Sequence, residues 1–580
     1  MTRRDLLSGL VAAGLPVSAQ MVSRGVTAKA RGKFSGRPFH SSLVDVAAAA
    51  GLTAPVIYGG VDTWTYILEA IGCGAAFLDY DNDGWLDILL LTGSRWEGAP
   101  AGATNRLYKN NRDGTFTDVT EKAGLLRSGW FSGVTVADYN NDGFEDIFIT
   151  GWPQNVLYRN NGDGTFSDVT KESGVLHEGN RWGTGCTFVD FDRDGHLDLF
   201  ISNYLKFDPK LIPPRGKSEL CNFKGVLVNC GPRGLTPEKC TLYKNRGDGT
   251  FVDVSESSHI SKAAGSYGLT TVAADFDNDG WPELYVACDS TPSLYFKYNQ
   301  NGTFTECGME MGVALNEDGN EQAGMGLGIG DFNLDGTLGI LKTHFIEDTA
   351  ALYAYRGKRG FQDVTIESGL GVETRYVNWG AAILDLDNDG LPDLFWVSGS
   401  VYPEVEKKFP EYRHKTPRVL FRNLGGGKFE ELLDEGGPGV SAAHCSRGLA
   451  FGDFDNDGDL DLLVINVNEP PSLLRNDTTR EHHWLKLSLK GTKSNRSAIG
   501  ARALVRYGGR QQVQEVLAQA SFLSVNDRRL HFGVGKETAA DVEVRWPSGT
   551  MQKFKGVGCD RLVTIDETKG IVDSRPLKGS

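Results

Sequence analysis

Short apolar runs recur along the whole chain, and glycine, aspartate and asparagine residues lie between them. GAAFL at 74–78 and GVTVA at 133–137 each precede an acidic segment, and DILLL at 87–91 and DIFIT at 146–150 each follow one. Runs of about four to eight β-prone residues between turn-forming residues are typical of β-strands. The pattern therefore predicts a chain of many short strands joined by tight turns.

The acidic segment between two such runs is repeated. DYDNDGWLD from Asp79 recurs as DYNNDGFED, DFDRDGHLD, DFDNDGWPE, DFNLDGTLG, DLDNDGLPD and DFDNDGDLD. The later copies begin at Asp138, Asp190, Asp275, Asp331, Asp385 and Asp453, at intervals of 59, 52, 85, 56, 54 and 68 residues. Seven copies in one chain indicate a repeat architecture.

A second element follows each acidic segment. Its clearest versions are LYKNNRDGTFTDVT from Leu107, LYRNNGDGTFSDVT from Leu157 and LYKNRGDGTFVDVS from Leu242. Each reads as strand, Asn/Gly/Asp turn, strand, which is a β-hairpin. Every repeat thus supplies four antiparallel strands, and seven such sheets predict an all-β, seven-bladed β-propeller.

The phase of the repeat predicts how the ring closes. The seventh acidic segment is followed by LLRND at 473–477, a third strand with no fourth strand behind it. FHSSLVDVAAAAGL from Phe39 matches FTDVTEKAGL, the segment that ends the first repeat. We therefore expect residues 39–46 to form the outer strand of blade seven.

Composition limits the classes of partner. The chain has 580 residues, 73 of them glycine, and a net charge of −15 with a pI near 5.3. A nucleic-acid-binding protein would need a basic face, so the charge argues against that partner. No stretch reaches the ~18 apolar residues of a membrane span.

The N-terminus resembles an export signal. Arg3 and Arg4 precede a short apolar run, and Val17-Ser18-Ala19 and Ala28-Lys29-Ala30 are small-residue cleavage sites. TRRDLL is similar to a twin-arginine motif. We expect residues 1–30 to be a twin-arginine signal peptide and the mature chain to be periplasmic or extracellular.

Nine cysteines without a CxxC pair argue against zinc and thioredoxin-type sites. Cys221 and Cys230, which flank the loop NFKGVLVN, are the best candidates for a disulfide in an exported protein.

The acidic segments have the chemistry of a calcium loop. DxDxDGxxD places side-chain oxygens at positions 1, 3, 5 and 9, with glycine at position 6 for a sharp turn. An EF-hand would need an acid at position 12, and no copy has one. The glycine-rich RTX nonapeptide is absent as well.

Residues 34–477 resemble the FG-GAP (VCBS) propellers, as in integrin α-subunits. The resemblance implies one Ca²⁺ per intact loop, and six or seven ions in all. By position, the implied ligands in the six intact loops are Asp79, Asp81, Asp83 and Asp87; Asp138, Asn140, Asp142 and Asp146; Asp190, Asp192, Asp194 and Asp198; Asp275, Asp277, Asp279 and Glu283; Asp385, Asp387, Asp389 and Asp393; and Asp453, Asp455, Asp457 and Asp461.

Loop five departs from the pattern. It keeps Asp331, Asn333 and Asp335 but has Gly339 where the last acid belongs. With only two carboxylates, we expect this site to be weak or empty.

The repeat stops near residue 482, and the remaining chain predicts a small β-rich domain. SNRSAIGAR at 494–502, LHFGVG at 530–535 and VRWPSG at 544–549 resemble an ASPIC/UnbV domain over 482–568. A propeller followed by this domain looks like the cartilage acidic protein family, including its bacterial members. That resemblance implies an architecture rather than an activity.

No common catalytic motif is present: GxSxG, HExxH, a P-loop and a Rossmann fingerprint are all absent. The propeller topology places the acidic loops on one face and the blade-to-blade connections on the other. Those connections carry the candidate ligand residues Trp130, Arg181, Trp182, Tyr267, Glu321, Arg375, Trp379, His444 and Arg447.

Two functions remain open at this point. One is an exported, calcium-stabilised scaffold that binds a protein or glycan. The other is an exported calcium-dependent enzyme of cyclase or lyase type, with its pocket on the face opposite the acidic loops.

Overall fold

The seven repeats form seven four-stranded antiparallel sheets in a computed structural model that describes residues 24–219 and 221–577. The first strand of each sheet contacts the first strand of the next, and the first strand of blade 7 contacts that of blade 1. The predicted β-propeller is confirmed, and a separate β-domain follows it.

Each blade runs outward from strand a to strand d. The a strands are Ala75–Leu78, Trp130–Ala137, Gly183–Val189, Gly268–Ala274, Leu327–Gly330, Asn378–Leu384 and Ser446–Gly452. The b strands are Asp87–Leu90, Asp146–Trp152, Asp198–Asn203, Glu283–Cys288, Gly339–Lys342, Asp393–Ser398 and Asp461–Asn466. The c strands are Arg106–Asn110, Val156–Asn160, Thr241–Asn245, Leu294–Tyr298, Ala351–Tyr355, Val419–Gly425 and Ser472–Asn476.

The d strands are Phe116–Asp118, Phe166–Asp168, Phe251–Asp253, Phe304–Glu306, Phe361–Asp363, Lys428–Leu432 and, for blade 7, Leu43–Asp45. Strands a and b are buried along nearly their whole length because a neighbouring blade covers each face. This double burial explains why runs such as DLFIS are continuously apolar instead of alternating.

The N-terminal strand closes the ring, as predicted. Leu43, Val44 and Asp45 pair antiparallel with Asn476, Arg475 and Leu474 of the last c strand. Leu43 is fully buried within the main hydrophobic core. Blade 7 is therefore assembled from both ends of the propeller sequence.

Replacing Leu43 by alanine should lower the free energy of unfolding by about 2–5 kcal/mol, because the cavity opens at the seam that holds the ring closed. The comparison is Val61→Ala, whose side chain is 60% exposed and which should have almost no effect. Denaturant unfolding measures both variants, and an unchanged midpoint for Leu43→Ala would contradict the ring closure.

Asparagines at the ends of five c strands join each blade to the preceding one. The side-chain Nδ2 donates to the carbonyl of the second residue of the preceding acidic loop at 2.8–2.9 Å. The pairs are Asn110 with Phe454, Asn160 with Tyr80, Asn245 with Tyr139, Asn423 with Phe332 and Asn476 with Leu386. Blades 4 and 5 have Tyr298 and Tyr355 at this position.

Asn160→Ala should destabilise the chain by about 2 kcal/mol, because buried carbonyls on two blades lose their donor. The neighbouring Asn161 is exposed and bonds only within its own turn, so Asn161→Ala is the matched control. Thermal and denaturant unfolding of the two variants give the comparison, and equal losses would show that the inter-blade bond has no special role.

The C-terminal domain is a sandwich of two four-stranded sheets. One sheet contains Leu530–Gly535, His483–Lys490, Arg561–Asp566 and Gly570–Arg575, in that order. The other contains Arg510–Glu515, Arg502–Tyr507, Ala539–Arg545 and Met551–Gly558. The domain ends at Arg575 rather than at the expected residue 568, because a last strand pairs with Arg561–Asp566.

Within residues 24–219 and 221–577, helical structure is confined to single turns. The α-helical turns are Leu68–Ile71, Gly308–Met311, Thr365–Ser368 and Pro438–Ser441, and the 3₁₀ turns are Ile260–Lys262, Gly357–Arg359 and Leu370–Val372. Among the described residues, none of the helices has the length and apolarity needed to span a membrane.

Two sequence predictions concern segments outside the regular strands. The predicted disulfide joins Cys221 and Cys230, within the insertion that carries the hairpin Asn222–Phe223 with Val226–Leu227. Most of the expected signal peptide, residues 1–23, lies outside the described residues. Its last residues bond to the propeller through the Val26 amide to the Glu347 carbonyl at 2.9 Å and the Lys29 amide to the Gly371 carbonyl at 2.8 Å.

Candidate functional site

The acidic loops share one backbone conformation. The glycine at position 6 has φ between 82° and 104° in every loop, a region that other residues rarely enter. Position 4 is also left-handed in all seven loops, and it is asparagine in five of them. In loop 1, the Asp79 carboxylate accepts the amides of Asp83 and Gly84, both at 2.9 Å, which fixes the turn.

This turn gathers carboxylates from distant positions of the motif. Oxygen atoms from three carboxylates lie within 4.8 Å of one another in loops 1, 3, 4, 6 and 7. The groups are Asp79, Asp81 and Asp87; Asp190, Asp192 and Asp194; Asp275, Asp277 and Asp279; Asp385, Asp387 and Asp393; and Asp453, Asp455 and Asp461. Among the described residues, loops 2 and 5 form no such group.

Burial makes the charge on these groups costly. It raises the pKa of Asp87 and of Asp146 to about 8, and the neighbouring carboxylates add to the shift. For the same two reasons, the pKa values of Asp385 and Asp393 lie well above their usual range. An ionised carboxylate here needs a nearby positive charge.

Several carboxylate oxygens have no hydrogen-bond partner. Buried and unpartnered are Oδ1 of Asp81, Oδ2 of Asp198, Oδ1 of Asp275 and Oδ1 of Asp455, in loops 1, 3, 4 and 7. Buried polar atoms are nearly always satisfied in folded proteins. Converging, unsatisfied carboxylate oxygens on a flexible turn are the donor set that a hard cation such as Ca²⁺ prefers, so the residues fit that ion.

Lysines on the c strands supply part of the missing charge in three loops. Lys109 contacts Asp81 and lies 3.1 Å from Asp83, and Lys244 lies 2.7 Å from both Asp192 and Asp194. Lys297 plays the same part beside Asp277 and Asp279 in loop 4. Sequence reasoning missed these residues, although a lysine recurs seven residues before the first phenylalanine of strand d in these three blades.

Loop 6 has no such partner. Asp385, Asp387, Asp389 and Asp393 form no salt bridge with any described lysine, arginine or histidine, and Asp385, Asp387 and Asp393 are buried. Arg422, the strand-c residue of this blade, pairs with Glu430 instead. Loop 6 is therefore the site where a bound cation is most needed.

The C-terminal domain lies on the face that carries the acidic loops. Lys486 forms a fully buried ion pair with Asp453, and Tyr507 donates its hydroxyl to the Gly390 carbonyl at 3.1 Å. In loop 5, which lacks the last acid, Asp331 accepts the Val513 amide at 3.1 Å. The domain thus contacts the loops directly and neutralises part of their negative charge.

One segment of this domain fills the central channel. Its residues 519–525 are buried and form backbone hydrogen bonds with the inner strands of three blades. Val525 donates its amide to the Ala75 carbonyl at 2.9 Å, and Leu523 accepts the Val134 amide at 3.2 Å. Ser521 and Leu327 exchange two backbone bonds, at 2.6 and 2.7 Å. The segment closes the acidic-loop end of the channel.

Two insertions meet across the opposite face. They occupy residues 203–241 of blade 3 and 399–417 of blade 6. Arg215 pairs with Glu404 at 2.6 Å, and the rings of Phe223 and Tyr402 lie 5.4 Å apart. These contacts join blades on opposite sides of the ring, so the insertions cover the centre of the face.

Because this face is covered, five of the residues expected to contact a ligand are not accessible. Trp130, Trp182, Tyr267, Trp379 and Arg447 are buried, because the channel segment and the insertions pack around them. The Arg447 guanidinium donates to Ala70, Gly399, Ser446 and Ser400 carbonyls, and it stacks 4.1 Å from the Trp379 ring. These five side chains are packing residues.

The other four candidate residues remain at least partly exposed but belong to four different blade connections. Glu321 pairs with Arg233 at 3.2 Å, Arg375 pairs with Glu373, and His444 lies 3.4 Å from Glu469. Arg181 is 3.4 Å from the Thr241 hydroxyl. They do not converge on one pocket.

Comparisons with known proteins agree with this architecture. The FG-GAP-like repeat family matches residues 79–149, 138–201, 234–286 and 275–341, and the ASPIC and UnbV family matches residues 491–572. Human cartilage acidic protein 1 is 25% identical over 384 residues, which cover 64% of this chain and 51% of the human protein. This chain thus spans about half the length of the human relative.

Mouse cartilage acidic protein 1 is 24% identical over 516 residues, covering 82% of this chain and 71% of the mouse protein. A solved structure of an Agrocybe aegerita lectin that recognises non-reducing terminal N-acetylglucosamine aligns with 71% of this chain and 90% of the lectin, at 15% identity and a TM-score of 0.34. The chain has FG-GAP repeats followed by a C-terminal ASPIC/UnbV domain, and it is homologous to cartilage acidic protein 1.

Proposed function

We propose that the chain is an exported propeller scaffold, stabilised by calcium, that acts by binding a ligand rather than by catalysis. The observation that carries the calcium proposal is loop 6, where buried carboxylates converge without a salt bridge to any described basic side chain. The disulfide between Cys221 and Cys230 supports the exported state, since such bonds persist in oxidising compartments.

A simple estimate gives the electrostatic cost of fully ionising loop 6 without a bound cation. Three carboxylates within 4.8 Å repel one another by about 3.5 kcal/mol per pair at an effective dielectric constant of about 20. The total, about 10 kcal/mol, equals the whole stability of a typical domain. The loop must therefore take up protons or a cation.

Loop 6 would hold the ion through Asp385, Asp387, Asp389 and Asp393, and the other intact loops would use the equivalent positions. Calcium supplies the positive charge that these oxygens lack. Each loop joins strands a and b of its blade, and its second carbonyl accepts the asparagine of the following blade in five cases. An ion that fixes the conformation of a loop would therefore also stabilise the contact between that blade and the next.

The closed channel supports binding over catalysis. The segment 519–525 fills one end and the two insertions cover the other. The buried arginine and tryptophans of the connections already have protein partners. A binding role requires none of these groups to reach a substrate.

Removing calcium should lower the Tm. Mutating the same motif position should have different effects in loop 6 and in loop 5. Asp389→Asn in loop 6 should remove about one bound ion and reduce the calcium-dependent gain in Tm, because ligand binding stabilises the native state by about 2.7 kcal/mol at 100 times Kd. Asp335→Asn at the same motif position of loop 5 should leave both quantities unchanged. Both asparagines keep the oxygen that caps the turn.

Calorimetric titration and metal analysis of the purified protein measure these effects. A Tm that does not change on addition of a chelator would contradict calcium stabilisation. Equal losses for the two variants would contradict the assignment of loop 6 as a full site.

The calcium-dependent gain in Tm should grow as the pH rises from about 6 to about 8. The pKa values of Asp87 and Asp146 are raised to about 8, and those of Asp190 and Asp389 to about 7, so the folded chain binds protons that the unfolded chain releases near pH 4. In chelator, stability present below pH 4 is therefore lost as the pH passes through the folded-state pKa values. Calcium competes with these protons and restores stability at high pH.

Thermal melts at several pH values, with calcium and with chelator, give the two curves. A gain in Tm that is the same at pH 6 and pH 8 would show that these carboxylates do not bind the ion.

A further inference from the structure

A cleft of about 1000 Å³ lies between the C-terminal domain and the acidic loops of blades 1–3. One wall is formed by the propeller loops, and the other by the loop 490–497 and the last strands of the C-terminal domain. The inner end of the cleft is lined by Val525, the last residue of the channel segment, and by Asp527. The cleft is open to solvent and lies on the acidic-loop face, opposite the face where the sequence analysis placed the ligand.

The C-terminal wall is basic, and three of its five cations form no salt bridge with any described residue. Lys490, Lys493 and Lys569 are exposed and form no salt bridge with any described residue. Arg496 and Arg575 are 59% and 56% exposed, and their nearest carboxylates, Asp138 and Asp573, are 3.8 Å away. Unpaired cations on a concave surface attract an anionic ligand.

The carboxylates of the cleft are already engaged. Glu145 is paired with Arg528, Asp194 with Lys244, and Asp527 with Arg529. Asp79 and Asp138 accept the amides of their own turns. The wall formed by the loop 490–497 and the last strands carries five basic side chains and one carboxylate, Asp566, which accepts amides of its own turn, so this wall is positive even though the whole chain is acidic.

The basic loop is held in place. Buried Glu567 accepts the amides of Thr492, Lys493 and Ser494 at 2.6–2.9 Å. On the propeller side, Arg496 donates its amide to Asn141 at 2.9 Å, and Ser497 accepts the Asp138 amide at 3.0 Å. The backbone of the loop 490–497 is thus fixed to both domains, so only its side chains need to become ordered when a ligand binds.

Aromatic rings line the propeller wall. Position 7 of loops 1, 2 and 3 is Trp85, Phe144 and His196, all half-buried and all lining the cleft. The Phe144 ring lies against Gly162 and the His196 ring against Gly247, where an added side chain would collide. Half-exposed rings on fixed turns offer flat, electron-rich faces to the C–H groups of a sugar.

We propose that this cleft binds an anionic oligosaccharide, with sugar rings against the aromatic wall and carboxylate or sulfate groups against the basic wall. The rings favour a saccharide over an acidic peptide, because a peptide needs only the charge. The inference adopts the binding role proposed above but does not depend on calcium.

The test uses the full-length chain and fluorescent heparin and polygalacturonate hexasaccharides, titrated by anisotropy with calcium and with chelator. Lys490→Gln/Lys493→Gln should weaken binding about tenfold, because two charge-assisted contacts are lost. Lys536→Gln/Lys553→Gln removes the same charge from exposed lysines outside the cleft and should change Kd less than about twofold. Added salt should weaken wild-type binding.

Trp85→Ala distinguishes the saccharide from a peptide. It should weaken the hexasaccharides about tenfold and leave any weak binding of polyglutamate unchanged, with thermal melts to confirm folding. Equal affinity of the two lysine double variants, or no binding of either hexasaccharide, would overturn the proposal. Polyglutamate that binds as tightly as the saccharides would overturn the assignment of the ligand class. The affinities of the two lysine double variants can be compared whether or not calcium affects the Tm. The saccharide proposal and the calcium proposal can therefore be contradicted independently.

Discussion

Repulsion among acidic loops on one face of the ring is the constraint on which the rest of the structure depends. Residues 1–481 carry 43 basic and 66 acidic side chains, whereas residues 482–580 carry 17 basic and 9 acidic side chains. The propeller thus concentrates negative charge, and the C-terminal domain is its cationic counterpart. Backbone amides, strand-c lysines and the buried Lys486 each offset part of the repulsion.

The C-terminal domain also compensates for the weakest part of the ring. Blades 4 and 5 lack the asparagine that bonds to the preceding loop, and loop 5 lacks its last acid. At this place Arg502 donates to the Asp275 carbonyl at 2.8 Å and to the Gly336 carbonyl at 2.9 Å, which bridges loops 4 and 5. The C-terminal domain thus provides the inter-blade link that other blades form through their own strand-c asparagine.

Local sequence signals were sufficient for the blades and insufficient for what covers them. Short apolar runs, Asn/Gly turns and the match of FHSSLVDVAAAAGL with FTDVTEKAGL fix strands, hairpins and ring closure, because these depend on neighbours or on the repeat. The channel segment around Phe522 and the contact of Phe223 with Tyr402 join parts of the chain without a shared pattern. For that reason Trp182 and Arg447 appeared as ligand residues and proved to be packing residues.

The size of the C-terminal domain determines where a ligand can approach. This domain is a single sandwich of two four-stranded sheets, and it packs closely over some loops but leaves a cleft over others. It contacts loops 4 to 7 through Arg502, Val513, Tyr507 and Lys486, and it leaves a wedge over blades 1–3. Within that wedge, Asp138 and Asn141 are hydrogen-bonded to residues 496–497. These bonds join the two walls at one place and fix the distance between them, so both remain accessible. The same docking that neutralises one half of the acidic face therefore creates, over the other half, a concave surface with unpaired positive charge.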